Sequence, residues 1–203
     1  MKRKPIFITG IGTGVGKTIV SAIFVEKLQA DYWKPVQSGD LHHTDTNEVR
    51  SLVSNHVSVF HPESYRLTQP FSPHKSAALD NVSIRLENIV LPQTDNLLII
   101  EGAGGLMVPL NDTDLIIDLI KKFDADVVLV SQNYLGSINH TLLSAEILKS
   151  RNINLSKIVI CGKEDKSSEK IISRHVHTKF IHIPHFEELT RTNITEFAVE
   201  NLI

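Results

Sequence analysis

The segment that most limits what this chain can fold into is 6–18. A short β-branched apolar run, 6–9, leads directly into Gly10-Ile11-Gly12-Thr13-Gly14-Val15-Gly16-Lys17-Thr18, and a helical pattern begins at once. A strand, a glycine-rich loop and a helix in immediate succession form the setting of a P-loop. The glycines let backbone N–H groups turn inward around phosphate oxygens. The helix N-terminus adds free N–H donors and partial positive charge. Lys17 is expected to reach the β- and γ-phosphates, and the Thr18 hydroxyl to ligate Mg²⁺. The spacing is a variant. The usual first glycine, five positions before the Gly-Lys pair, falls on Ile11, and the glycine stands one residue earlier at Gly10. The motif implies nucleotide binding and leaves the reaction open.

The rest of the chain repeats the same alternation. Short, nearly continuous apolar runs at 6–9, 32–36, 97–100, 127–130, 158–160 and 180–183 read as parallel strands covered on both faces. Helical patterns fall at about 17–29, 45–54, 114–123, 138–150, 167–176 and 194–202. This order predicts an α/β P-loop NTPase-like fold, with a mostly parallel central sheet and helices on both faces. The segment 55–95, interrupted by Pro62, Pro70, Pro73 and Pro92, reads as a short strand near 65–67 and two short helices near 74–80 and 84–90. The 203 residues suit one domain spanning 1–203.

Composition excludes several classes. A net charge of −2 gives no nucleic-acid footprint. The single cysteine, Cys161, allows no intramolecular disulfide and fits a reducing compartment. The basic head Met1-Lys2-Arg3-Lys4-Pro5 is followed by an apolar run that stops at Thr9-Gly10, too short for a signal segment. No apolar stretch approaches the roughly 18 residues of a membrane span. These features predict a cytoplasmic protein. The histidine pairs His42-His43, His175/His177 and His182/His185 fall in different elements without a cysteine partner, and are not read as a metal site.

In open α/β sheets ligands bind beyond the carboxyl ends of the strands. Lys34, at the end of the run 32–36, is expected there, where a cation neutralises charge on a phosphoryl group in transfer. Asp45 opens the helix at 45–54. Glu101 ends the apolar run 97–100 and precedes Gly102-Ala103-Gly104-Gly105. That pattern resembles a Walker B element, whose carboxylate holds Mg²⁺ directly or through water.

Taken together, 10–18, Lys34-Pro35-Val36-Gln37-Ser38-Gly39, Asp45, Ser72-Pro73-His74, 101–105 with Pro109-Leu110, and Leu135-Gly136-Ser137-Ile138-Asn139-His140 resemble the dethiobiotin synthetase family. The segments occur in the family's order, cover about 5–150, and are matched beyond 150 mainly in pattern. The resemblance implies an ATP- and Mg²⁺-dependent cyclo-ligase acting in biotin biosynthesis on 7,8-diaminononanoate and CO₂. An amine captures CO₂ as a carbamate. The carbamate attacks the γ-phosphate, and the second amine closes the ureido ring as phosphate leaves. Lys34 is then the catalytic lysine, with Lys17 and Thr13 near the reacting groups and Ser38 on the substrate. Thr18, Asp45 and Glu101 hold the metal.

The nucleotide is expected against Gly14, Val15, Gly16, Lys17, Thr18, Ile19, Asp45, Glu101, Gly102, Ala103 and Gly104, and at its base against Cys161, Pro184, His185 and Phe186. Family members are homodimers. In them the turn at Gly136 and Asn139 receives the substrate's carboxylate from the other subunit. One position departs from the family. An Asn whose carboxamide pairs with adenine is replaced by Cys161, a weak donor and acceptor. That substitution predicts relaxed base selectivity, with GTP or CTP used within about tenfold of ATP.

Two rivals are weighed. A ParA/MinD-like ATPase switch carries an extra lysine in the loop at the position of Gly12, and its membrane-binding members end in a basic helix, whereas this chain ends acidic. A related amidoligase for a dicarboxylic or corrin substrate usually needs a further glutaminase domain, for which 203 residues leave no room.

Overall fold

The computed structural model describes residues 3–201. Met1 and Lys2 of the basic head, and Leu202 at the end of the last expected helix with Ile203, lie outside the described residues. Seven parallel strands form one sheet in the order β4-β2-β6-β1-β7-β8-β9. They are β1 (Ile6–Gly10), β2 (Asp31–Trp33), β4 (Phe60–His61), β6 (Leu98–Gly105), β7 (Asp126–Gln132), β8 (Leu155–Cys161) and β9 (Lys179–Ile183). A small second sheet pairs β3 (Val36–Ser38) with β5 (Tyr65–Leu67). The helices are α1 (Lys17–Leu28), α2 (Asp45–Leu52), α3 (Pro73–Leu79), α4 (Ile116–Phe123), α5 (Ser137–Ser150), α6 (Lys166–His175) and α7 (Arg191–Glu200).

Successive strand residues point to opposite faces, so an apolar run fills two layers at once. Phe7 and Ile8 are adjacent, fully buried, and belong to different clusters. Ile8 joins α1, α2 and α7 through Ile23, Phe24, Val49 and Ile194. Phe7 joins α4 and α5 through Ile116, Ile120 and Leu148. Among the described residues no helix is long and apolar enough to cross a membrane.

Connectivity fixes where ligands bind. From β1 the chain passes through α1 to β2, on the far side of β6. From β7 it passes through α5 to β8, in the opposite direction. Connections leaving neighbouring strands in opposite directions open a crevice at their carboxyl ends, and the loop 11–16 lies in it.

Three expectations change. The run 32–36 is not one strand. Pro35 has no N–H for the ladder, and its carbonyl accepts from Ser64 and Tyr65 N–H at 2.9 and 3.0 Å. The chain thereby leaves the main sheet after Trp33 and starts the small one at Val36. The strand expected at 97–100 runs on to Gly105, because Gly105 pairs with Gly10 of β1. Glu101 therefore sits within β6 and not after it. The helix expected at 84–90 is only a 3₁₀ turn at Leu86–Asn88.

Candidate active site

The loop's backbone has little freedom. A Cβ at Gly10 would come within 2.7 Å of the Gly12 carbonyl. Gly16 has φ 96°, a left-handed conformation, and is the N-cap of α1, where no side chain caps the helix. The first N–H groups of α1 therefore face the cleft without a capping side chain, as a phosphate site requires. Lys17 folds back over the loop and donates to the Gly12 carbonyl at 3.0 Å. Burial pulls its pKa below the ordinary lysine value, with Glu101 opposing and Lys34 assisting.

Glu101 is the centre of the site. It is fully buried on β6, and both carboxylate oxygens are engaged. Oε1 accepts from Thr18 Oγ1 at 3.0 Å and Lys34 Nζ at 3.2 Å. Oε2 accepts from Ser21 Oγ at 2.8 Å and the Tyr32 hydroxyl at 2.9 Å. A carboxylate this deep is tolerable only with such partners. Lys34, 5% exposed, follows β2 and pairs with both Glu101 and Asp45. Burial acts to lower its pKa, but Glu101 and then Asp45 outweigh it and the net shift is upward. Asp45 is the first residue of α2, whose cap is Thr44, accepting from Asn47 N–H at 3.2 Å. Gln37 holds the start of that helix, accepting from Asp45 N–H at 3.4 Å and donating to the Gly39 carbonyl at 3.0 Å.

These groups face one cavity of about 750 Å³. Thr13, Gly14, Gly16, Lys17, Thr18, Ile19, Lys34, Ser38, Asp45, Glu101, Ala103 and Gly104 all line it. The segment Pro70-Phe71-Ser72-Pro73 lines it as well. A second cavity of about 150 Å³ lies on the other side of the loop and shares Gly14, Gly16 and Ile19. Val15, Cys161, Pro184, His185 and Phe186 line that one.

Residues 4–193 match a family model described as an AAA domain. The ATP-dependent dethiobiotin synthetase BioD of Cytophaga hutchinsonii is 53% identical over 97% of this chain and 96% of its own length. That of Christiangramia forsetii is 51% identical over 96% and 94%. The chain belongs to the dethiobiotin synthetase family. Among solved structures, the cell division ATPase MinD of Pyrococcus furiosus is similar with a TM-score of 0.63, 11% identity and 98% coverage of both chains. A ParA family ATPase from Chlorobium tepidum is similar at 0.57, with 12% identity over 98% of this chain and 99% of its own. At that identity the likeness is one of fold, and the ATPase-switch reading gives way to membership of the dethiobiotin synthetases.

Not every expected residue reaches the cleft. A Cβ at Gly102 would come within 2.7 Å of Phe7 Cε1. Gly102 is thus a packing position outside the lining of either cavity, because its place in β6 turns it toward the α4 layer. Gly136 and Asn139 stand at the exposed start of α5, outside the lining of both P-loop cavities, and Asn139 instead lines a separate cavity of about 620 Å³ between α5 and 175–178. Sequence reasoning missed Ser21, Tyr32 and Gln37. Tyr32 lies opposite Ile99 in the parallel ladder, two residues before Glu101 and therefore on the same face, a pairing that only the folded sheet reveals.

Proposed function

We propose that this chain is a Mg²⁺-dependent cyclo-ligase that joins CO₂ to 7,8-diaminononanoate at the expense of ATP, giving dethiobiotin, ADP and phosphate. The observation that carries the reading is the convergence of Lys17, at the start of α1, and Lys34, just past β2, on one cleft that also holds Asp45, Glu101 and Ser38. A nucleotide switch needs only the phosphate half of such a cleft. The other half, between Ser38 and Pro70–Pro73, gives an acceptor molecule room beside the γ-phosphate.

The residues suit the chemistry. Phosphoryl transfer asks for positioning and charge neutralisation more than for covalent help. Lys17 and the free N–H groups of α1 would hold the β- and γ-phosphates. Lys34, whose pKa is raised, stays a cation at neutral pH and serves as a charge stabiliser, not as a base. Thr13, whose Oγ1 lies beside Gly104, would face the carbamate, and Ser38 the diamine. Thr18, Asp45 and Glu101 offer hydroxyl and carboxylate oxygens, a hard donor set that fits Mg²⁺. When bound, the ion would offset phosphate charge. Ile19, Ala103 and Gly104 shape the walls.

The reading assigns 1–203 to one synthetase domain, located in the cytoplasm, and active as a homodimer. Support for the dimer comes from the turn at 134–136. Tyr134 is 44% exposed and Leu135 fully exposed, with Leu143 60% exposed one helical stretch on. That apolar strip adjoins Gly136 and Asn139, which would receive the carboxylate of substrate held in the other subunit.

The test is direct. Purified protein is incubated with diaminononanoate, bicarbonate, ATP and Mg²⁺, and products are followed by mass spectrometry. Dethiobiotin appearing one-for-one with phosphate supports the reading. Phosphate release without dethiobiotin overturns it.

A further inference from the structure

The expectation of weak base selectivity rests on β8 alone, where Cys161 stands in place of a carboxamide. The neighbouring strand changes it. We propose that Gln132, the last residue of β7, is the residue of this chain that reads the adenine base. The proposal rests on the assignment of the 150 Å³ cavity as the base site of the nucleotide held by the P-loop.

Gln132 and Cys161 are register partners in the parallel ladder between β7 and β8. Partners in such a ladder project from the same face, so both side chains reach the same cavity, and both line it. They are disposed differently within it. The Cys161 thiol is packed toward the loop, where a Cβ on Gly16 would meet its Sγ at 2.9 Å. It is buried with Val15 in the core cluster, and burial pushes its pKa up to about 12, so it stays a neutral, poor hydrogen-bonding group. Gln132 is exposed, and its amide nitrogen lies 3.7 Å from the Cβ position of Gly162, at the cavity's edge. Its carboxamide makes no hydrogen bond to any other described residue.

Three side chains of the lining carry hydrogen-bonding atoms: Gln132, Cys161 and His185. A neutral imidazole holds its donor and acceptor on separate ring positions that diverge, and cannot offer both to one base edge. A carboxamide presents an N–H and a C=O side by side, which matches the N6/N7 edge of adenine: Oε1 accepts from N6–H and Nε2–H donates to N7. Guanine offers two acceptors on that edge and leaves Oε1 facing O6. Phe186, held edge-on by Phe197 at 5.8 Å, supplies an apolar wall. The carboxamide absent from β8 is thereby supplied by β7.

The experiment measures displacement of a fluorescent ADP analogue by ADP, GDP and CDP, with Mg²⁺ present, from the wild type, Gln132→Ala and Gln132→Glu. In the wild type ADP should bind about tenfold to a hundredfold more tightly than GDP and CDP. Gln132→Ala should compress that spread to within about threefold. Gln132→Glu keeps the size but loses the donor to N7, and should weaken ADP binding as well. A wild type without preference for ADP overturns the assignment. So does a preference that survives Gln132→Ala, or undiminished ADP affinity in Gln132→Glu. Dethiobiotin formation by the wild type is assayed in parallel. Its failure with every nucleotide counts against the proposed reaction, while the displacement data judge Gln132 alone.

Discussion

Lys34 and Glu101 form a buried ion pair that also lines the candidate cleft. Lys34 is held by two carboxylates, and its charge is directed at the cleft from a strand other than the one that carries the P-loop. Lys34→Ala should leave nucleotide affinity within a few-fold, because in the proposed reading 14–18 hold the phosphates. Its kcat should fall by about 10²–10³, the usual loss when one preorganised charge stabiliser is removed. Near-normal turnover in that variant would remove Lys34 from the mechanism. Glu101→Gln replaces one oxygen with an amide nitrogen that must face donors, since all four bonded groups donate to the carboxylate. Titrating Mg²⁺ against rate for Glu101→Gln and Asp45→Asn should move the midpoint upward by at least about tenfold. If both variants keep the wild-type midpoint and rate, the metal assignment is wrong.

At the scale of elements, the site depends on β2 being fixed at its other end. Asp31 opens β2, away from the cleft, and ties three segments together. It accepts from Val59 N–H at 2.9 Å, Thr94 Oγ1 at 2.6 Å and Asn96 Nδ2 at 3.2 Å, and pairs with His61 at 3.2 Å. Burial pushes its carboxyl upward, but the bonds from Thr94, Val59, His61 and Asn96 prevail and hold it below its ordinary value of 3.8. Asp31→Asn should cost about 1–3 kcal/mol, or roughly 2–12 °C in Tm for a domain of this size. The sign of the pH dependence follows from the depressed value. The contribution is complete above the unfolded pKa and is lost as pH falls through the folded one. The Tm gap between wild type and variant should be flat from pH 7 to about 5 and close below about pH 4. A gap that persists unchanged at pH 3 would contradict this role. The same element shows where a one-dimensional reading stops. The apolar run 32–36 looks continuous, but Pro35 breaks the ladder, and Lys34 occupies the break between two sheets.

At the scale of the whole molecule, the proposed homodimer makes a testable claim about one exposed strip. Leu135 is fully exposed beside a turn that lines neither of the two P-loop cavities. An apolar side chain so placed gains from association, and a charge there opposes it. If the proposed dimer forms through this strip, Leu135→Asp should convert it to a monomer in size-exclusion chromatography with light scattering. Turnover of the diamine should fall with it, while ADP binding should be retained. A wild type that is monomeric at micromolar concentration, or a Leu135→Asp variant that stays dimeric and active, would show that the strip has another use.

What the sequence determined by itself was local and repetitive. The strand–loop–helix unit at 6–18, the alternation of apolar runs with helical patterns, and the placing of Lys34 just past a strand and of Asp45 at the start of a helix all follow from short-range pattern, because hydrogen-bonding period and glycine conformation are written in neighbouring residues. The family followed from several such segments in order. What only the tertiary structure decided was which residues meet across strands. Register put Tyr32 on Glu101, the packing of α1 on the sheet brought Ser21 there, and alternation along β6 turned Gly102 away toward Phe7. Register also placed Gln132 beside Cys161. Lateral pairing between strands distant in sequence leaves no periodic trace in either strand. It is set by how the whole sheet packs against its two helical layers, and so it appears only when the chain has folded.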